Sequence, residues 1–295
     1  MTLRTKIILA FLIVYLVWGS TYLAIRVGVQ QLPPVLFAGV RFDIAGVLML
    51  IYAFATGGRL PRLWPEWRTL LITAVLMLTL ANGLVTWSEV WIESNQAALI
   101  VATNALWMAW MGSLGGAGDR LSRATVASLC LGFGGVAVLV GAGIELRDAP
   151  WMAYAALLMA PVFWGAGSVY ARRHPLSCAP MMTVALQMLV TGLIQTSFGL
   201  ALGDAERWSW DSVEAMSALA YLVVFGSCLA YGAYYWLVHQ VTPAALGTYA
   251  YVNPAVAVLL GWWLLDEHLS LTQVIGTLII LVSVVLVTLA SRRKA

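Results

Sequence analysis

Leu12-Ile13-Val14-Tyr15-Leu16-Val17-Trp18-Gly19-Ser20-Thr21-Tyr22-Leu23-Ala24-Ile25-Arg26-Val27-Gly28 is long and apolar enough to cross a bilayer. Its middle nevertheless holds Trp18-Gly19-Ser20-Thr21, an aromatic ring beside small hydroxyl residues. A plain lipid anchor is better served by leucines at that depth. Polar groups there imply contact with a cavity or a neighbouring helix. A similar cluster, Trp164-Gly165-Ala166-Gly167-Ser168, returns half a chain later. The two helices are expected to face each other across a substrate pocket.

Working outward, apolar runs of roughly 20 residues recur along the whole chain, the length a helix needs to span hydrocarbon. The 295 residues are 62% hydrophobic and only 10% charged, far below the roughly one quarter charged of soluble domains. The sequence predicts an all-α integral membrane protein of ten transmembrane helices: Ile7–Val29, Pro33–Thr56, Arg68–Ser88, Ser94–Gly115, Ser122–Gly143, Pro150–Arg172, Ala179–Leu202, Ser212–His239, Pro243–Leu265 and Leu271–Ala290. Turn chemistry separates them, as in Gln30-Gln31-Leu32-Pro33-Pro34, Gly57-Gly58, His174-Pro175 and Thr242-Pro243. The first span is too long for a signal-peptide core and is read as retained. No loop is long enough to form a second domain, so the spans must do the work.

Lys and Arg give the orientation. With ten spans both termini share a side, and that side collects Arg4, Lys6, Arg59, Arg62, Arg68, Arg120, Arg123, Arg172, Arg173, Arg292, Arg293 and Lys294. The other side carries Arg147 and Arg207 among Glu89, Glu93, Glu145, Asp148, Asp204, Glu206, Asp211, Asp266 and Glu267. The N- and C-termini are therefore expected to be cytoplasmic. Trp64, Trp67, Trp91, Trp151, Trp208 and Trp210 fall at span ends, the usual interfacial belt. Cys130, Cys178 and Cys228 have no metal spacing and read as buried free thiols.

The halves echo each other. Trp18-Gly19-Ser20 precedes Trp164-Gly165-Ala166 by 146 residues, and Pro34 precedes Pro180 by the same interval. Gly118-Asp119-Arg120-Leu121-Ser122 and Asp266-Glu267-His268-Leu269-Ser270 are 148 apart; Asn104 and Asn253 are 149 apart. Two units follow, 1–145 and 146–295, each with five spans. Five is odd, so the second unit must be inverted, an arrangement that in transporters puts the site near mid-membrane between the repeats.

Trp18, Trp107 and Trp164 lie mid-span, where a belt does not explain them. Aromatic walls suit an aromatic or cationic substrate; core packing is the alternative use. Ser20, Asn82, Thr86, Thr103, Asn104, Ser168 and Asn253 are polar groups at depth, fit to hold a zwitterion or to bond helix to helix. Tyr231 and Tyr235 are four apart and share a helix face. These twelve residues make up the expected substrate site. Arg41 and Asp43 lie inside the second span, Asp43 about 15 Å past Pro33 at 1.5 Å per residue. A charge there must be partnered or wet. Arg41 is expected to tie helices together, while Asp43 either pairs with Arg26 across the first hairpin or carries a proton. Asp266-Glu267-His268 reads as a helix end rather than a metal cluster, and no metal or cofactor is expected. Ser128, Gly132, Gly134, Gly135, Gly141 and Gly143 crowd span five for close packing, within the chain or in a dimer.

The Trp18-Gly19-Ser20-Thr21 helix, Pro34…Arg41-Phe42, the Leu121-Ser122 and Leu269-Ser270 starts of spans five and ten, and the doubled five-span layout resemble the drug/metabolite transporter superfamily in its ten-helix EamA-type branch. Asn104-Ala105-Leu106-Trp107 and Phe163-Trp164 are most similar to the aromatic amino acid exporters of YddG type. The resemblance implies a multi-pass transporter of the bacterial inner membrane that exports small metabolites, amino acids and aromatic ones foremost, by alternating access around a central cavity. Its partners are then a small-molecule substrate and the lipid bilayer, with no nucleic acid; a monomer suffices, though a homodimer is compatible. A broad exporter of cationic drugs on the same fold is the nearest alternative. A membrane-embedded lipid-modifying enzyme would need clustered catalytic groups, but His174, His239 and His268 stand alone and no nucleophile or metal motif is present. A receptor would want a soluble output domain.

Overall fold

The computed structural model describes residues 1–115, 121–141, 150–256 and 271–292, all helix or connecting turn. The expected helix-end cluster Asp266-Glu267-His268, the Leu269-Ser270 start, Gly143 and the second half of span nine lie outside the described residues. Among the described residues, six helices are long and apolar enough to cross a membrane: α1 (Leu3–Val29), α2 (Pro34–Ala55), α3 (Trp64–Ser88), α7 (Trp151–Arg173), α8 (Pro180–Ala201) and α9 (Val213–Val238). Span four appears as two pieces, α4 (Ser94–Val101) and α5 (Asn104–Ser113). Span five is α6 (Arg123–Gly141), and the last span is α12 (Leu271–Arg292). The described part of span nine is again two pieces, α10 (Pro243–Leu246) and α11 (249–256).

Local chemistry sets the boundaries. Proline, whose fixed φ suits the first turn and whose missing N–H is not needed there, opens α2, α8 and α10. Hydroxyl caps start others: Thr2 Oγ1 accepts from Thr5 N at 3.2 Å and Ser212 Oγ from Ala215 N at 3.0 Å. The Glu66 carboxylate caps α3 by accepting from Arg62 N and Leu63 N, and with its other oxygen accepts from Ser177 N at 3.0 Å in the turn between α7 and α8.

The surface is apolar where lipid would lie. Leu12, Leu16 and Leu23 of α1, and Ile44, Val47, Leu48 and Ile51 of α2, point outward. Trp64, Trp91, Trp151 and Trp210 are exposed near helix ends. Polar side chains turn inward instead: Thr73, Asn104, Gln187, Thr191 and Ser227 are fully buried. Such inversion of the soluble pattern follows from a solvent that offers no hydrogen bonds. Cys130, expected to be buried, is exposed, because it lies on the outer side of α6; all three thiols are free.

Two helix pairs frame the molecule. α2 packs along α8, and α6 along α12. In the first, a Cβ on Gly46 would stand 2.8 Å from Leu189 Cγ, and one on Gly192 would stand 2.6 Å from Asp43 N. The contacts descend one helix as they climb the other, so α2 and α8 are antiparallel. Both glycines, and likewise Asp43 and Leu189, are 146 residues apart, so the two contacts exchange under that shift. Gly132 and Gly135 of α6 press on Tyr251, Ile279 and Ile280, which assigns those small residues of span five to packing within the chain. Inside the frame α1 packs on α9 and α7 on α3, while α2 touches α9 and α8 touches α3.

Two further features repeat. α3 widens to a π-helix over Ala74–Asn82, and α9 does so over Leu222–Tyr231. Span four breaks at Ala102-Thr103 and span nine at Gly247-Thr248, each through tight bonds to the third residue back, Ala105 N to Ala102 O (3.3 Å) and Ala250 N to Gly247 O (3.1 Å). Wide turns and broken helices of this kind gather at functional sites.

Gly46→Val should lower the stability of the protein in detergent by about 1–3 kcal/mol, the range for overpacking a close contact. Gly134→Val, where nothing lies within 4 Å of an added Cβ, should leave the melting temperature near that of the parent; thermal unfolding of the two variants makes the comparison.

Candidate functional site

A chamber lies between the inner helices. Its walls come from Trp18, Thr21, Tyr22 and Ile25 of α1, Arg41 and Phe42 of α2, Leu78, Ala81, Asn82 and Val85 of α3, and Val101 of α4. Ala160, Pro161 and Trp164 of α7, Gly226, Ser227 and Tyr231 of α9, and Tyr249 and Asn253 of α11 complete them. About 70 Å³ is open to the centres of water molecules, room for several waters. The π-helical turns of α3 and α9 supply Leu78, Ala81, Asn82, Gly226, Ser227 and Tyr231, so the wide turns shape the wall.

An aromatic layer floors the chamber. Trp18 stands edge-on to Trp164 with centroids 5.3 Å apart, and lies 5.0 Å from Tyr234 and 5.1 Å from Tyr249. Hydrogen bonds hold the rings in place. Trp18 Nε1 donates to Gly226 O (3.1 Å), and Trp164 Nε1 donates to Tyr234 Oη (2.8 Å). The Tyr234 hydroxyl also meets Ser168 Oγ at 2.7 Å. Asn104 Nδ2 donates to Tyr249 Oη at 2.6 Å. Tyr231 Oη donates to Gln187 Oε1 (2.7 Å), whose Nε2 donates to Thr73 Oγ1 (2.6 Å).

The chamber has one charged wall. Arg41 is buried, donates Nε to Ser227 Oγ at 2.9 Å, and holds its guanidinium 4.9 Å from the centre of the Phe42 ring. Among the described residues its terminal nitrogens meet no acceptor. The expected tie between helices is present, from α2 to α9, and the remaining donors face the space. Gln187 lies 146 residues after Arg41, at the same place on α8, and spends its amide on Tyr231 and Thr73. Acceptors without a donor also reach this region: Asn82 Oδ1 and Asn253 Oδ1 are buried and unpaired. Unsatisfied buried oxygens cost about 1–3 kcal/mol each, a debt that a ligand donor removes.

Trp18, Asn82, Trp164, Tyr231 and Asn253 therefore stand on one wall system with Arg41. The other expected site residues do not. Ser20 Oγ faces Tyr221 of α9 at 2.5 Å, and Thr86 bonds back to Asn82 O within α3. Thr103 bonds Ile100 O at the break in span four. Asn104 and Ser168 support the aromatic layer from behind. Trp107 is half-buried beside exposed Trp110. Tyr235 is buried against Tyr231 and His239 and does not line the chamber. Arg26 does not pair with Asp43; its Nη1 donates to Glu89 O. Asp43 turns to α8 and accepts from Thr196 Oγ1 at 2.6 Å. A helix face set by α2–α8 packing decides this, because Asp43 sits opposite Gly192 while α1 lies around the other side. Sequence reasoning passed over Tyr22, Phe42, Ser227 and Tyr249 because each reads as an ordinary span residue. It also assigned Glu89 to an outer loop, whereas its side chain is buried. Among the described residues no three metal-ligating side chains come together.

The comparisons with known proteins agree in kind. The model of the EamA-like transporter family matches residues 5–141 and again 151–289. The inner membrane transporter YedA of Escherichia coli K12 is 37% identical over 281 residues, covering 95% of this chain and 90% of that protein. The transporter YvbV of Bacillus subtilis is 28% identical over 298 residues, 99% of this chain and 93% of its own length. A protein crystal structure 22% identical to this chain superposes with a TM-score of 0.81 over 98% of this chain and 99% of the other, which shows a shared fold.

Tyr234→Phe should lower stability by about 1–3 kcal/mol, since it leaves the Trp164 N–H buried without an acceptor; thermal unfolding in detergent, with Phe225→Leu as an outward-facing control, measures it.

Proposed function

We propose, from the premise that this chain belongs to the EamA-like transporter family, that it exports amino acids, aromatic ones foremost, across a bacterial inner membrane by alternating access. The family and its named relatives are transporters rather than enzymes. The inner-membrane setting rests on YedA.

The chain reads as two inverted five-pass units. Supporting this are the doubled family match, the antiparallel packing of α2 on α8, and the recurrence of a π-turn and of a helix break in each half of the chain. Rocking of such units around a fixed mid-membrane site is the general mode of inverted-repeat carriers. The chamber lies toward the Val29 and Ser88 ends of α1 and α3, while Tyr234, Trp164, Ser168 and Met108 close the other half.

One observation carries the substrate reading: an arginine with unspent donors and two unpaired amide oxygens share an aromatic chamber. Guanidinium matches a carboxylate. The oxygens of Asn82 and Asn253 match an ammonium, and Trp18, Trp164, Tyr231 and Tyr249 match a ring. An α-amino acid with an aromatic side chain presents all three. A cationic drug would use the rings but would face a like charge at Arg41, which disfavours the second reading.

Counterflow in proteoliposomes decides. Labelled L-tryptophan should exchange, and tryptamine, which lacks the carboxylate, should compete at least tenfold more weakly, about 1.4 kcal/mol. Arg41→Gln should narrow that gap, and Trp164→Ala should abolish exchange while the protein still inserts. Equal competition by tryptamine would favour the cation exporter.

A further inference from the structure

Glu89 terminates α3, and its side chain is fully buried. Neither carboxylate oxygen meets a hydrogen-bond donor. Asn82, Val85 and Glu89 are spaced to share a helix face; the first two line the chamber, so Glu89 stands one turn beyond its wall. An ionised carboxylate without donors is costly to bury unless positive charge lies near.

The titratable groups around it come from three elements. α1 supplies Tyr22 and Arg26, and α2 supplies Arg41. α7, tied to this end of α3 by Ser88 Oγ donating to Ala153 O at 3.0 Å, carries Tyr154 in the same apolar cluster. α4 has no charged residue between Ser94 and Val101. Arg26 is engaged with the Glu89 main-chain carbonyl and Arg41 with Ser227, so neither guanidinium bonds the carboxylate itself. Loss of water favours the protonated acid, and the two arginines favour the anion. The balance depends on how much of Arg41's field is left to Glu89, and Arg41 also faces the chamber.

We propose that Glu89 is a proton-binding site linked to the chamber through Arg41: a ligand carboxylate seated against Arg41 spends part of the positive field that favours the Glu89 anion against its burial, and a proton from solvent then binds the carboxylate where it is still ionised. This rests on the reading of the chamber as a site for a carboxylate-bearing ligand. The sign follows from linkage. The ligand prefers the protonated carrier, so its affinity rises as pH falls through the titration of Glu89, and each binding event takes up close to one proton at pH values above that titration in the free protein and below it in the complex. Tyr22 both lines the chamber and lies near Glu89.

Two measurements on the purified full-length protein test it. Infrared difference titration without ligand should reveal a protonated-carboxyl stretch that disappears in Glu89→Gln, persists at a shifted midpoint in Glu89→Asp, and moves to higher pH in Arg41→Gln. Calorimetry of L-tryptophan binding in buffers of different ionisation enthalpy should give proton uptake in the parent, none in Glu89→Gln, and none for tryptamine with the parent. An unchanged carboxyl titration in Glu89→Gln, an unmoved midpoint in Arg41→Gln, or tryptophan binding without proton exchange at every pH would overturn the proposal. Failure of the parent to bind tryptophan would instead remove the chamber reading, and with it the link to ligand, while the infrared arm still decides whether Glu89 titrates through Arg41.

Discussion

Hydrocarbon supplies no hydrogen bonds, and that single fact organises the molecule. Polar side chains must turn inward and satisfy one another, so they collect along the seams where helices of the two halves meet. Gln187 joins Thr73 to Tyr231, Tyr234 joins Trp164 to Ser168, and Arg41 joins α2 to α9 through Ser227. Two of these five bonds, Gln187 to Thr73 and Arg41 to Ser227, cross between residues 1–115 and residues 150–256. Of the groups left over after this pairing, the oxygens of Asn82 and Asn253 and the outer nitrogens of Arg41 belong to residues that line the chamber, while Glu89, Asn104, Gln195 and Trp208 keep unpaired atoms outside its lining.

Backbone departures from ideal helix open that space. The π-turns of α3 and α9 and the residues after the break in span nine, Tyr249 and Asn253, line it. Tyr15 Oη meets Thr248 Oγ1 at 2.7 Å, so α1 is fastened to the second break. The aromatic layer is thus held by side-chain bonds on both sides of each irregularity, and its rings keep fixed mutual angles.

Much of this was legible in the residues. Apolar run length marked the long helices because the bilayer fixes that length, and Pro34 and Pro180 opened α2 and α8 as expected. Trp18 and Trp164 were singled out by depth and do stand together. What the sequence did not disclose has a common cause: one-dimensional spacing gives a depth, but not which way a helix is turned. Ser20, Asp43 and Trp107 lie at plausible depth yet face α9, α8 and the periphery. Glu89 failed differently. Its position after the last apolar residue of α3 reads as loop, and only the fold of α1, α2 and α7 around it makes it interior. The π-turns left no signal, because a wide turn changes a hydrogen-bond pattern and not a composition.

The pairing of Arg41 with Gln187 at equivalent places on α2 and α8 has a further consequence. On the proposed two-unit reading the scaffold recurs but the electric charge does not, since Gln187 stands where α2 has Arg41, and the chamber is polarised from one side only. A molecule with a distinct head and tail then has a single favoured way to lie in it.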